Sequence, residues 1–175
     1  MEIVVGTNNI KDGEATAQAK KMKEYRLHPR YDAYTLQNDE CFVILSDSID
    51  LGAVGVNVVR LYGGLDSLEG EEATVLGWGR PSDMSSTITD ILRHATDKII
   101  SNDECKGFFN SVVESTVCLN GYNGRSACVG DSGGPLMVEG KQVGVASFGS
   151  SWGCALGFPS AYQRVLDMAD WDDLK

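Results

Sequence analysis

The sequence predicts an all-β domain of the sandwich or barrel class. Two observations predict it. Short apolar segments recur along the chain, separated by Gly, Asn and Asp clusters, the punctuation expected of strands joined by tight turns. Only two segments carry a helical pattern, and many short strands with few helices leave sheet-on-sheet packing or closure as the way to bury an apolar face.

Taken in order, the predicted strands are Glu2 to Thr7, Glu40 to Leu45, Gly55 to Leu61, Ala73 to Gly77 and Ile91 to Ile100. Ser101-Asn102-Asp103-Glu104 then fits the S-x-x-E capping box, in which the hydroxyl and the carboxylate each satisfy an unpaired amide. It predicts a short helix over Asn102 to Phe109. Gly134 to Val138 and Gln142 to Phe148 are strands joined by a hairpin turn at Glu139-Gly140-Lys141. Ser160 to Val165 is the last strand. Leu166, Ala169, Asp170 and Trp171 recur at a helical period, which predicts a weakly amphipathic helix over Leu166 to Leu174.

Composition bounds the function. The 175 residues include 15 Lys and Arg against 25 Asp and Glu, a net charge of −10. Phosphate binding needs a positive field, so a general nucleic-acid surface is not expected. No run of 18 apolar residues is present, so no helix is expected to span a membrane. The first residues, Met1 to Gly6, lack the basic start and long apolar run of a secretory signal. Cysteine usage points the other way. Cys41, Cys105, Cys118, Cys128 and Cys154 form no C-x-x-C pair, which suggests two disulfides and one free thiol in an oxidising compartment. Roughly 15 arrangements are possible, and spacing does not choose among them.

The stretch that carries chemistry is Cys128-Val129-Gly130-Asp131-Ser132-Gly133-Gly134-Pro135-Leu136. A chance GDSGGP in a chain of this size has odds on the order of one in 10⁵. A serine hydroxyl is a weak nucleophile that needs a base beside it and amide donors facing the oxyanion it creates. Glycines on both sides of Ser132 let the backbone turn and aim the Gly130 and Ser132 N–H groups into one small hole.

These residues resemble the chymotrypsin/trypsin-like serine endopeptidases, most closely their invertebrate members. His28-Pro29-Arg30-Tyr31 is similar to the family's HPxY loop, Asn38-Asp39 to the start of its NDIAL-type strand, and Leu76-Gly77-Trp78-Gly79 to its GWG turn. Leu92-Arg93 leading to Ile99-Ile100-Ser101 resembles the strand before the family's intermediate helix. Ser147-Phe148-Gly149 resembles the SWG or SFG edge strand, and Pro159 to Val165 with Asp170-Trp171 the PGVYxRV strand and closing helix. The resemblance implies a double six-stranded β-barrel with the site between the barrels, the second barrel complete and the first partial. Residues 1–65 would be the remainder of the first barrel, and 66–175 the second with the C-terminal helix.

By that resemblance Ser132 is the nucleophile, Asp39 orients the catalytic histidine, and the Gly130 and Ser132 amides form the oxyanion hole. Cys105 would pair with Cys118 and Cys128 with Cys154. A further family bridge is lost at both ends, where Ala73 and Val138 stand. Ser126 would form the base of the specificity pocket, Gly149 and Ser160 its walls, and Ser147, Phe148 and Gly149 the edge that pairs with substrate backbone. A neutral base lacks the counter-ion that a Lys- or Arg-selecting pocket uses, so cleavage after aromatic or large apolar residues is expected. The alternative is that Ser160, bulkier than the usual glycine, narrows the slot toward small side chains. No metal or other cofactor is implied. The partners implied are protein or peptide substrates and protein protease inhibitors, in an extracellular setting.

The chain departs from the family in one large respect. The TAAHC-like motif with the catalytic histidine is missing, as is the IVGG-like mature start whose amine pairs with the aspartate at Asp131; Ile3-Val4-Val5-Gly6 lies too close to Asp39 to be that start. Only His28 and His94 are present, expected on a surface loop and on a strand, and neither is expected to serve as the base. Glu40 and Cys41 replace apolar and small residues after the aspartate. A lost N-terminal segment of roughly fifty residues accounts for these departures, against the ~200 to 250 common for two-barrel domains. The chain alone is then expected to be inactive. The alternative is a non-catalytic homologue that binds partners through the cleft.

Overall fold

The computed structural model describes residues 1–11 and 15–165. The helix expected over Leu166 to Leu174 lies outside the described residues. The elements, in chain order, are β1 Glu2–Val5, β2 Gln18–Leu27, β3 Cys41–Leu45, β4 Arg60–Leu61, β5 Glu72–Gly77, β6 Arg93–Ile100, α1 Asn102–Lys106, β7 Thr116–Leu119, β8 Pro135–Val138, β9 Lys141–Gly149 and β10 Ser160–Arg164.

Six strands close on themselves. The order β10-β7-β6-β5-β8-β9 is completed by a pairing of β10 with β9, and every pairing around this ring is antiparallel. Closure removes the free edges that an open sheet would leave. Alternate residues point inward: Ala73 and Val75 on β5, Val117 and Leu119 on β7, Leu136 and Val138 on β8, with Val143, Ala146 and Tyr162 completing one buried cluster. Ala73 and Val138, the two positions where the resemblance implied a lost bridge, both lie in this core as buried side chains. Outside the barrel wall a second cluster of Cys105, Val112, Cys118 and Ala161 packs with Phe109 and Phe148, whose rings meet edge to face at 5.5 Å. It seats α1 on the barrel.

Local chemistry explains the turns. Val138 pairs with Lys141, so the hairpin loop is Glu139-Gly140, with φ of 48° and 74°. Two positive φ values are what a two-residue type I′ connection requires. At α1 the Ser101 hydroxyl accepts the Glu104 N–H at 3.1 Å, the serine half of the expected cap. The helix ends at Lys106 rather than Phe109, because Gly107 N–H turns back to the Glu104 carbonyl at 3.0 Å.

The remaining strands form a three-stranded antiparallel sheet in the order β1-β2-β3. Its face is incompletely covered: Val4, Tyr25, Leu27 and Val43 are all exposed. The sheet is joined to the barrel by Leu92 N–H on the Asn8 carbonyl (2.7 Å), Ile10 N–H on the Asp90 carbonyl (2.9 Å) and the Trp78 indole on the Asn8 carbonyl (3.1 Å). Two sequence expectations are corrected. The strand expected over Gly55 to Leu61 contracts to β4, which pairs with β9 in parallel at Arg60 and Leu61. Strands β2 and β7 were not anticipated: β2 carries charge at Lys20, Lys21, Lys23, Glu24 and Arg26, and β7 is four residues long and wholly buried.

Candidate active site

The segment between Cys128 and Pro135 is folded by its glycines and by Asp131. Gly130 and Gly133 have φ of +102° and +80°, conformations that side chains other than glycine's adopt at a cost. Asp131 N–H donates to the Cys128 carbonyl and Gly134 N–H to the Asp131 carbonyl, both at 2.9 Å, so two turns flank Ser132. The Asp131 carboxylate accepts Gly79 N–H at 2.7 Å and Cys128 N–H at 2.8 Å. The Gly-Trp-Gly turn follows from this: a Cβ on either Gly77 or Gly79 would overlap the Asp131 carboxylate. Gly133 N–H on the Ala146 carbonyl (2.8 Å) and Ala146 N–H on the Gly134 carbonyl (2.9 Å) then pin the segment to β9.

The result is an exposed Ser132 on a rigid turn. Among the described residues, no protein acceptor engages the Gly130 or Ser132 N–H. Two amide donors beside one hydroxyl are free to bind an anion or a developing negative charge.

Asp39 reaches the same place from the other sheet. Asn38 has φ of 54°, tolerable for asparagine, and its amide donates to the Arg30 carbonyl at 2.8 Å. His28 N–H donates to the Glu40 carbonyl at 3.1 Å, so the His28 to Tyr31 loop braces the chain on both sides of Asp39. The Asp39 carboxylate accepts the Ser147 hydroxyl at 2.6 Å, across 108 positions of sequence. This contact was not legible in the sequence, since no spacing rule links residues that far apart.

Two cavities meet at Ser132, Ala146 and Ser147. The first, about 250 Å³, is lined by Ser126, Phe148, Gly149, Gly153, Cys154 and Ser160, among others. Among the described residues, no charged side chain lines it. Ser160 lines it, and its hydroxyl is hydrogen-bonded at 3.1 Å to that of the buried Tyr162. Burial pushes the Tyr162 phenol up, well beyond its ordinary value, so it stays neutral. The second cavity, about 650 Å³, runs from Ser132 and Ser147 past Asp39 to Leu27, Cys41 and Leu61. The structure therefore brings Ser132, Asp39, Ser126, Ser147, Phe148, Gly149 and Ser160 into one continuous region.

The two histidines lie outside it. Neither lines either cavity. His28 is buried, 4% exposed, against the expectation of a surface position; its Nδ1 accepts Arg30 N–H at 3.1 Å, a closed-turn role that draws the ring inward. His94 is exposed on β6 and lines a different cleft, with Asp131 and Arg93. Cys105 is bonded to Cys118 and Cys128 to Cys154. Cys41 is the free thiol, and it is exposed.

Comparison with known proteins gives the family and the fold. The family described as Trypsin matches residues 1–171. Brachyurin from Leptuca pugilator is 34% identical over 98% of this chain and 75% of its own length. Chymotrypsin from Phaedon cochleariae is 36% identical over 98% of the chain and 62% of its own length. Among solved structures, mouse neuropsin, a serine protease, superposes with a TM-score of 0.88 at 25% identity, covering 99% of this chain and 78% of that one. HL collagenase gives 0.83 at 31% identity over 99% and 76%. This all-β chain, with its closed barrel and its serine between two cavities, belongs to the trypsin family of serine proteases.

Proposed function

We propose that this chain carries most of the machinery of a serine endopeptidase that cuts after aromatic or large apolar residues. Ser132 attacks the scissile carbonyl, the Gly130 and Ser132 amides hold the oxyanion, and Asp39 orients the base and stabilises its positive charge. The observation that supports the reading is the pair of unengaged amides beside an exposed Ser132, with Asp39 on the far side of the same region. Residues 1–65 contribute to a first barrel and 66–175 to the second, with the cleft between them. Ser147, Phe148 and Gly149, on β9, pair with substrate backbone.

The side-chain preference rests on the first cavity. Among the described residues it holds no counter-ion for Lys or Arg, and its polar groups include the hydroxyls of Ser126 and Ser160. An apolar cavity of about 150 Å³ is enough for benzene, so about 250 Å³ admits an aromatic ring. That size favours aromatic and large apolar side chains over a slot restricted to small ones. Two disulfides support an extracellular setting, since such bonds persist where the medium is oxidising. Its partners are protein substrates and protein inhibitors that occupy the same cleft.

Activity needs a base at Ser132, and His28 and His94 lie elsewhere. We therefore expect the 175-residue chain by itself not to be acylated, because an oxyanion hole and binding alone supply only a residual acceleration. The test is a fluorophosphonate probe, applied to these 175 residues and to the natural gene product. Labelling of Ser132 in the natural gene product, abolished in Ser132→Ala, supports the endopeptidase. Peptide amides ending in Phe, Tyr or Leu should then be cut at least tenfold faster than those ending in Lys or Arg. Stoichiometric labelling of the isolated chain would sink the claim that it lacks a base. No labelling of either would favour a non-catalytic homologue that binds through the cleft.

A further inference from the structure

The loop from Arg80 to Ile88 contributes nothing to the roles assigned above, yet one of its side chains holds the pocket wall. The Asp83 carboxylate accepts the Cys154 N–H at 2.6 Å on one oxygen and the Ala155 N–H at 3.0 Å on the other, across 71 and 72 positions of sequence. Both bonds are charge-assisted, and the fork fixes orientation as well as distance. Gly153 lies against the same group. Its φ is +150°, and a Cβ there would come within 2.7 Å of the carboxylate. Asp83 also lies within 4.8 Å of the Cys128 and Cys154 sulfurs, but those sulfurs are bonded to each other and are not metal ligands.

Gly153 and Cys154 line the first cavity, whereas Asp83 does not. They belong to the stretch between β9 and β10, where no strand ladder supplies acceptors for the backbone. Trp152 N–H is taken by the Ser150 hydroxyl at 3.1 Å, and the next amides after Gly153 by Asp83. The same loop reaches the oxyanion side: Arg80 N–H donates to the Val129 carbonyl at 2.9 Å. At its other end Ile88 packs so close to Gly130 that a Cβ on that glycine would lie 2.8 Å from it.

We infer that Asp83 is a positioning residue for the specificity pocket. Its carboxylate, rather than the Cys128–Cys154 bridge alone, sets where the Gly153 to Ala155 wall stands. The inference rests on reading the first cavity as the site of the substrate side chain before the scissile bond. A disulfide anchors the wall at one point and leaves it free to swing; the fork adds two more points and removes that freedom. Loss of Asp83 therefore weakens side-chain binding without unfolding the barrel.

The test uses the full chain and N-acetyl-L-phenylalaninamide, followed by amide NMR. Asp83→Ala is expected to weaken binding of this probe at least fivefold and to speed exchange of the Cys154 and Ala155 amides at least tenfold. Amides of β6 and β7 should stay protected. Asp83→Asn keeps one acceptor and the same shape, and should recover part of the affinity. If the natural gene product turns over a Phe substrate, the same change should raise KM for it more than it lowers kcat. Unchanged affinity in Asp83→Ala with fast exchange at Cys154 and Ala155 would overturn the inference alone. Affinity lost together with protection of β6 and β7 would also overturn it, since the role would then be stability. If the unaltered chain does not bind the probe, the pocket reading fails and this inference with it.

Discussion

The two halves of the candidate site are carried by sheets built in opposite ways. Ser132 stands on a turn fastened to a closed barrel, where Leu119, Leu136, Val143 and Tyr162 are fully buried and each strand has a neighbour on both sides. Asp39 stands just before β3 in a three-stranded sheet, where Tyr25, Leu27 and Val43 remain exposed. The barrel supplies its own rigidity. The sheet borrows rigidity from loop hydrogen bonds and from a few contacts with the barrel, of which Ser147 on Asp39 is the one inside the site. Geometry at Ser132 should therefore withstand changes that displace Asp39.

Core truncation gives the widest separation. Leu136 is fully buried in the barrel cluster, so Leu136→Ala removes both transfer free energy and packing, at a cost of about 4 kcal/mol. Leu27 is 52% exposed, so Leu27→Ala should change stability by less than about 1 kcal/mol. Urea unfolding of the two variants checks this, and equal losses would mean that the sheet is as well packed as the barrel. The disulfides come next, and both lie on the barrel side. Cys128 and Cys154 are 26 positions apart and Cys105 and Cys118 are 13, which by loop entropy corresponds to roughly 3.5 and 3 kcal/mol. Serine replacement of the first pair should in addition release Gly153 and Cys154 from the cavity wall, visible as faster exchange at Ala155. A larger loss from the Cys105–Cys118 pair would show that seating α1 matters more than loop closure.

The junction tests the borrowed rigidity. Asn38 combines a left-handed backbone with a side-chain bond to the Arg30 carbonyl. Asn38→Ala loses both and should cost about 1 to 2 kcal/mol, while Asn38→Gly keeps the conformation and loses about 1. In both, amides near Asp39 should lose protection while those of β6 keep theirs. Equal costs for Ala and Gly would mean that the backbone conformation contributes nothing.

The contrast between the regions also governs what was legible. In the barrel, apolar residues alternate because one face is sealed, so β5, β6, β8, β9 and β10 were expected close to their observed bounds. Gly130, Gly133, Gly77 and Gly79 were readable as a pattern because each is required by local geometry: a positive φ, or contact with Asp131. In the sheet, β2 was missed because a strand with no fully buried residue, half-buried on one face and exposed on the other, needs no apolar period. Lys20, Lys21, Lys23, Glu24 and Arg26 occupy it without penalty. The Asp83 fork and the Asp39–Ser147 bond were hidden for another reason. Each joins residues more than 70 positions apart through one side chain, and only the closed fold brings them together.

The smallest expected effect lies in the loop that delivers Asp39. Asp32 accepts the Tyr34 N–H at 2.8 Å, and that hydrogen bond holds its carboxyl below the ordinary value of 3.8. Because the folded group is the stronger acid, its contribution is fully present above the unfolded value and is lost as pH falls through the folded one. The turn from Asp32 to Gln37, closed by Leu36 N–H on the Asp32 carbonyl at 2.8 Å and Asp32 N–H on the Gln37 carbonyl at 3.1 Å, should loosen on acidification from about pH 4 downward. The barrel core, with no titrating carboxylate in its cluster, should not respond over the same step. Exchange at the Tyr34 amide reads this directly. In Asp32→Asn the acid step should vanish; if it persists there unchanged, another carboxylate controls the loop and the tie to Asp39 has been placed on the wrong residue.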